Sequence, residues 1–124
     1  MSKDTYSIDL CEFISESIEE KKGRNITILE LKEKSDGADY FVIATVDSEP
    51  QLRAITNWIE DELKDRGVKM KGRDGHQSSD WIGVDYFSVL VHLFKEEARF
   101  KYNLESMWND ANKFKFENSK MVKI

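Results

Sequence analysis

The feature that most constrains the fold is an uninterrupted apolar run, Tyr40-Phe41-Val42-Ile43-Ala44-Thr45-Val46. Its β-branched and aromatic residues favour a β-strand. Hydrophobicity that continues through the run, instead of alternating, is typical of a strand covered on both faces. We therefore expect a layered α/β domain with this segment in the middle of its sheet.

The segments around this run predict a single mixed sheet of about five strands flanked by helices, in the order αββαβββα. The second helix has the clearest start, because Ser48-Glu49-Pro50-Gln51 has the S-x-x-Q form of a capping box. Residues 1–110 are expected to form one domain, and residues 111–124 a tail that is either packed on the sheet edge or partly disordered. We expect helices over 7–22, 48–67 and 100–108, strands over 26–31, 40–46 and 68–71, and two more strands within 81–94 that meet near Phe87-Ser88.

The charge balance limits the classes of partner. The chain has a formal net charge of −5 and a pI near 5.1, so broad attraction to nucleic-acid phosphates is not expected and a basic protein partner is favoured. The N-terminus lacks an apolar signal region, and no stretch approaches the roughly 18 apolar residues that a membrane span needs. We expect a cytoplasmic protein with no membrane association.

Residues with catalytic potential are few. Cys11 is the only cysteine and lies on the apolar stripe of the first helix, which favours a packed thiol. The two histidines, His76 and His92, belong to no metal-binding pattern. Because apolar residues flank His92 in a strand, a neutral, hydrogen-bonded core histidine is favoured over a catalytic base or an interface residue.

Two further patterns offer alternatives to a pure binding protein. Asp39 and Asp85 each stand beside a tyrosine, but neither belongs to the D-x-D that a nucleotidyltransferase pairs with a Gly-Ser turn. The GXXG of Gly72-Arg73-Asp74-Gly75 matches the RNA clamp of KH domains, but strands are expected on both sides, so a plain β-connection is favoured. A small nucleotidyltransferase-type enzyme and an RNA-binding module using this loop remain the alternatives.

Three segments within residues 26–108 form a recognisable series. They are Ala38-Asp39-Tyr40-Phe41-Val42-Ile43-Ala44-Thr45, then Trp81-Ile82-Gly83-Val84-Asp85-Tyr86 continuing to Phe94, and Arg99-Phe100-Lys101-Tyr102-Asn103-Leu104-Glu105-Ser106-Met107-Trp108. Together and in register they resemble the RsfS/Iojap family of ribosomal silencing factors. Each segment alone is a modest match, and the order of all three makes the resemblance specific.

The resemblance implies a nucleotidyltransferase-like fold without its catalytic acids, and a protein that is not an enzyme and needs no cofactor. It also implies a partner, the large-subunit ribosomal protein numbered fourteen. Occupying that protein would sterically block joining of the large and small subunits and repress translation when nutrients are scarce.

Large aromatic side chains next to an acid are typical of interfaces with basic proteins, so we expect partner contacts from Trp81, Asp85 and Tyr86. The alternative is that these rings belong to the core. Gly83 stands where the family commonly has Leu or Val, and it indicates a β-bulge in the contact strand. Dimerisation through an exposed sheet edge stays open.

Overall fold

A computed structural model of the chain describes residues 3–31, 38–75 and 80–124, with side chains from residue 6 onward in the first range. The described residues form one seven-stranded mixed sheet in the order β3-β4-β5-β2-β1-β6-β7, with helices on it. The elements are α1 (Lys3–Glu20), β1 (Arg24–Glu30), β2 (Tyr40–Val46), α2 (Glu49–Asp65), β3 (Gly72–Asp74), β4 (Trp81–Asp85), β5 (Val89–Lys95), α3 (Glu96–Tyr102), α4 (Leu104–Met107), β6 (Asn112–Glu117) and β7 (Lys120–Lys123).

Strand β2 lies at the centre of the sheet, as its apolar run predicts. All of its residues are buried. It pairs parallel with β5 and antiparallel with β1. The expected mixed sheet with flanking helices is confirmed, and the two strands beyond the expected five come from the C-terminal segment.

The two faces of the sheet are covered unequally. Helices α1 and α2 cover one face and enclose the larger core, in which Ile14, Ile18 and Ile55 are fully buried. The short α3 and α4 cover part of the other face, where a smaller core forms around Phe41, Ile43 and other residues. No helix among the described residues is both long and apolar enough to cross a membrane.

The segment after residue 110 forms a β-hairpin at the edge of the sheet, the first of the two arrangements expected for it. Asn118 and Ser119 both have positive φ, of 54° and 61°, as a two-residue type I′ loop requires. The carboxylate of Glu19 on α1 accepts hydrogen bonds from both of their backbone N–H groups, each at 2.9 Å. Phe116 is 5% exposed and joins the larger core, so the hairpin packs against α1.

Two boundaries differ from expectation. The third strand was expected over 68–71, but β3 is Gly72–Asp74, paired antiparallel with β4. The single helix expected over 100–108 is divided between α3 and α4, because Asn103 has the left-handed φ of 44° and ends α3. Asparagine tolerates this conformation better than most residues.

Candidate interaction surface

Six rings line the sheet face opposite α1 and α2, and we call them the aromatic face. The rings of Trp81, His92 and Phe94 lie nearly parallel, with centroids 6.0 to 6.4 Å apart. Tyr102 ends α3 and Trp108 directly follows α4, and each of these two rings packs against a ring on a strand. The members of the aromatic face are Phe41, Trp81, His92, Phe94, Tyr102 and Trp108.

Two glycines make room for the indole of Trp81. A Cβ at Gly83 would lie 2.9 Å from Trp81 Cζ2, and a Cβ at Gly75 would lie 2.8 Å from Trp81 Cε3. The β-bulge expected at Gly83 is wrong, because β4 pairs with β5 in unbroken register from Trp81 to Asp85. Gly83 instead has no side chain at the place where the Trp81 indole lies over the strand. Trp81 itself is partly buried.

His92 is a neutral acceptor within the aromatic face. The Trp81 Nε1–H donates a hydrogen bond to His92 Nδ1 at 3.3 Å. Burial lowers the pKa of His92 to about 4, and the opposing effect of the Asp74 carboxylate is smaller. The neutral, hydrogen-bonded histidine favoured by the sequence is confirmed, and its bond fixes the orientation of the indole.

Asp85 lies on the same face as Trp81, at the other end of β4, and holds the β4–β5 turn. Its carboxylate oxygen Oδ1 accepts a hydrogen bond from the backbone N–H of Phe87 at 2.7 Å. Phe87 has φ of 70° and is 61% exposed, a costly conformation for a bulky residue. Asp85 therefore has a structural partner within the chain as well as a partly exposed carboxylate.

Tyr86 does not lie on this surface. Alternation along β4 directs it to the face that α1 and α2 cover, where it is 3% exposed. Burial raises its pKa to about 12, with a smaller contribution from Glu60. A direct partner contact from Tyr86 is therefore corrected to a packing role, in line with the alternative that the ring belongs to the core.

Three large side chains on α3 and α4 are exposed to solvent. Phe100 is 87% exposed, Met107 69% and Tyr102 54%. Phe100 and Met107 recur at helical spacing with Leu104, but both are exposed, on either side of the break at Asn103.

Arg99 fastens α3 to the sheet. Its guanidinium donates to Thr45 Oγ1 at 2.9 Å, to Thr27 Oγ1 at 3.0 Å and to the backbone carbonyl of Asn25. It also donates to Glu105 Oε1 at 3.0 Å. These bonds join α3 to β1 and β2, and Tyr102 at the end of α3 then lies 5.8 Å from Phe94 between ring centroids.

The described residues give little support to catalysis. No three of their His, Cys, Asp and Glu side chains come close enough together to hold a metal ion. Cys11 is buried, and burial raises its pKa, so the thiol is inert at neutral pH. Gly72–Asp74 is a strand, not the helix-joining loop of a KH domain, while His76 lies outside the described residues.

Comparison with known proteins places this chain in a family. The family model described as "ribosomal silencing factor during starvation", RsfS, matches residues 4–123. The ribosomal silencing factor RsfS of Bacillus subtilis is 36% identical over 93 residues, which are 75% of this chain and 79% of the relative. A mouse protein named mitochondrial assembly of ribosomal large subunit protein 1 is 30% identical over 97 residues, 73% of this chain and 41% of the mouse protein.

The fold of the chain is also similar to that of a solved structure. A crystal structure of a protein from Chromobacterium violaceum superposes with a TM-score of 0.78 at 31% identity, covering 82% of this chain and 84% of the other. Sequence and fold agree over most of the chain, and the chain belongs to the ribosomal silencing factor family, RsfS.

Proposed function

We propose that this protein represses translation in the cytoplasm by binding the large ribosomal subunit through large-subunit ribosomal protein fourteen. The bound protein then sterically prevents the small subunit from joining when nutrients are limiting. No chemical step is needed, because occupancy of the surface is the whole mechanism. Membership of the silencing-factor family supports the ribosomal target.

The observation that carries the proposed contact is the presentation of Trp81. Its indole is partly exposed, is oriented by the bond to His92 and is surrounded by other rings. A large aromatic that is already fixed in one rotamer loses little conformational entropy on binding, which is typical of interface anchors. Asp85 adds a negative charge on the same face, complementary to a basic ribosomal protein.

Co-sedimentation with purified large subunits, followed by a subunit-joining assay, tests this proposal. Trp81→Ala should weaken binding at least about tenfold, as expected of an interface anchor, and should reduce the inhibition of joining to match. Trp58→Ala is the matched control, since Trp58 lies on α2 at the opposite face of the sheet and packs under Lys21. Equal behaviour of the two variants would remove Trp81 from the site.

Substitutions of Asp85 and Tyr86 distinguish three roles, which are a charge that faces the partner, a hydrogen bond within the β4–β5 turn, and packing in the core. Asp85→Asn keeps an acceptor for the Phe87 N–H and removes only the charge, whereas Asp85→Ala removes both. We expect the Asn variant to bind several-fold more weakly if the carboxylate faces a basic partner. Tyr86→Phe should leave inhibition of joining unchanged, because the ring is buried on the other face.

A further inference from the structure

The charge of the chain is divided between two regions of opposite sign. Residues 111–124 hold four lysines against one glutamate, a net charge of +3, so the first 110 residues carry −8 of the chain's total of −5. The overall negative charge therefore conceals a cationic hairpin at one edge of an acidic molecule.

The hairpin sorts its side chains by face. Phe114, Phe116 and Met121 all point to the side of α1 and pack on the larger core. Lys115 pairs across the hairpin with Val122, and Glu117 pairs with Lys120. Because these residues alternate with the three apolar ones along the strands, their side chains lie on the opposite side of the hairpin. The cationic side, which we call the lysine face, consists of Lys113, Lys115 and Lys120.

The lysine face has little internal charge compensation. Lys115 Nζ lies 3.2 Å from Glu117 Oε2, and both side chains are more than half exposed. Lys113 and Lys120 form no ion pair with any residue in the described ranges 3–31, 38–75 and 80–124. The bonds from Asn118 and Ser119 to Glu19 hold the hairpin in place, so the cations are presented on a fixed scaffold.

We propose that the lysine face binds the phosphate backbone of RNA at the edge of the proposed ribosomal contact, an inference that rests on the proposed function. Charge complementarity favours RNA as the partner, because a cluster of lysines is attracted to closely spaced phosphates and releases their condensed counterions on binding. The lysine face lies four strands from β4, roughly 19 Å across the sheet, with a twist of about 20° to 25° per strand. It lies on the same side of the sheet as Trp81, turned by the accumulated twist, so the proposed RNA contact is separate from the proposed contact of Trp81.

The salt dependence of binding tests this contact. The variant with Lys113→Gln, Lys115→Gln and Lys120→Gln should bind intact large subunits at least about tenfold more weakly near 0.1 M salt. The slope of log affinity against log salt should fall by about 2 to 3, roughly one per lost phosphate contact. Its affinity for isolated large-subunit ribosomal protein fourteen should stay within about twofold of wild type, since that protein carries no RNA.

A matched control removes the same charge elsewhere. Lys22→Gln, Lys64→Gln and Lys69→Gln together change three exposed lysines outside the hairpin and should leave the slope unchanged. Glu117→Gln should tighten binding to the intact subunit, because it releases Lys115 from its ion pair.

Three outcomes would overturn the proposal. In the first, the hairpin and control variants lose the same amount of affinity for intact subunits. In the second, the hairpin variant loses as much affinity for isolated protein fourteen as for intact subunits, which would indicate an acidic protein surface as the partner. The lysines could also serve only to block strand pairing at the β7 edge, in which case the hairpin variant self-associates while its affinity for the subunit is unchanged. Failure of wild type to bind protein fourteen, with the hairpin effect on intact subunits retained, would refute the proposed partner and leave this contact standing.

Discussion

At the scale of single residues, the presentation of Trp81 depends on two glycines and a histidine. Gly75 and Gly83 leave space for the indole, and His92 accepts its N–H. The sequence predicted a partner contact for Trp81, which stays a prediction, and a neutral His92, which is confirmed. It also predicted a β-bulge at Gly83, which is wrong. The space a glycine leaves for a residue two positions away depends on rotamers and cross-strand neighbours, which no local pattern contains.

Replacement of Gly83 tests this arrangement. Gly83→Val should displace the indole, because the new Cβ would lie 2.9 Å from Trp81 Cζ2, and should weaken binding to large subunits at least severalfold. The displacement can be measured as a shift of the Trp81 resonance in ¹⁹F spectra of 5-fluorotryptophan-labelled protein. Gly72→Val on the neighbouring strand is the control, since nothing lies within 4 Å of its Cβ position. An unmoved Trp81 resonance would contradict the role assigned to Gly83.

The pH dependence of stability tests the state of His92. Burial lowers the pKa of His92 to about 4 in the folded protein, whereas the ordinary pKa of histidine in an unfolded chain is 6.5. Proton uptake by the unfolded state therefore lowers the free energy of unfolding as the pH falls from about 6.5 to 4, by up to about 3 kcal/mol. Above about pH 6.5 this group contributes no pH dependence.

Urea unfolding between pH 7.5 and 4, compared for wild type and His92→Asn, isolates this contribution from that of the carboxylates. The free energy of unfolding of wild type should fall more steeply through this range than that of the variant. Parallel curves would show that His92 titrates normally in the folded protein.

At the scale of elements, the sequence predicted those marked by a strong local pattern, which is an apolar run, an apolar stripe or a helix cap. The apolar run of β2, the stripe of α1 and the capping box of α2 all placed their elements correctly. The hairpin was predicted only as an open choice, although Lys113-Phe114-Lys115-Phe116 alternates as a strand does and Asn118-Ser119 suits a turn. Its polar composition obscured that alternation. The break at Asn103 is set by how α3 and α4 dock, which spacing does not record.

Arg99 is the residue on which the docking of α3 depends. Its side chain is 13% exposed and donates to groups on β1 and β2. Arg99→Ala should lower the free energy of unfolding by about 2 to 3 kcal/mol, since it removes several hydrogen bonds to a charged donor. Arg99→Lys should restore only part of this, because an ammonium lacks the planar fork.

Chemical denaturation measures both Arg99 variants, and amide hydrogen exchange shows where each one opens. Faster exchange should be confined to α3 and α4. Exchange rates in α3 that match those of wild type would refute the anchoring role.

At the scale of the whole molecule, one sheet separates a face covered by long helices from the face that we propose binds the partner. Helices α1 and α2 bury the first face, while the short α3 and α4 leave rings and long apolar side chains exposed on the second. The sequence could predict the family and the position of strand β4, but not which of Trp81, Asp85 and Tyr86 face outward. The strand's register and the covering of each face decide that, and they remove Tyr86 from the surface.

The central claim is that the face carrying Trp81 binds large-subunit ribosomal protein fourteen. Isothermal titration calorimetry with that purified protein tests it most directly, with wild type, Trp81→Ala and Trp58→Ala measured under the same conditions. We expect saturable binding by wild type and Trp58→Ala, and a loss of at least about tenfold in affinity, or about 1.4 kcal/mol, for Trp81→Ala. Absence of binding by the folded wild type, or equal affinities for all three, would contradict the claim.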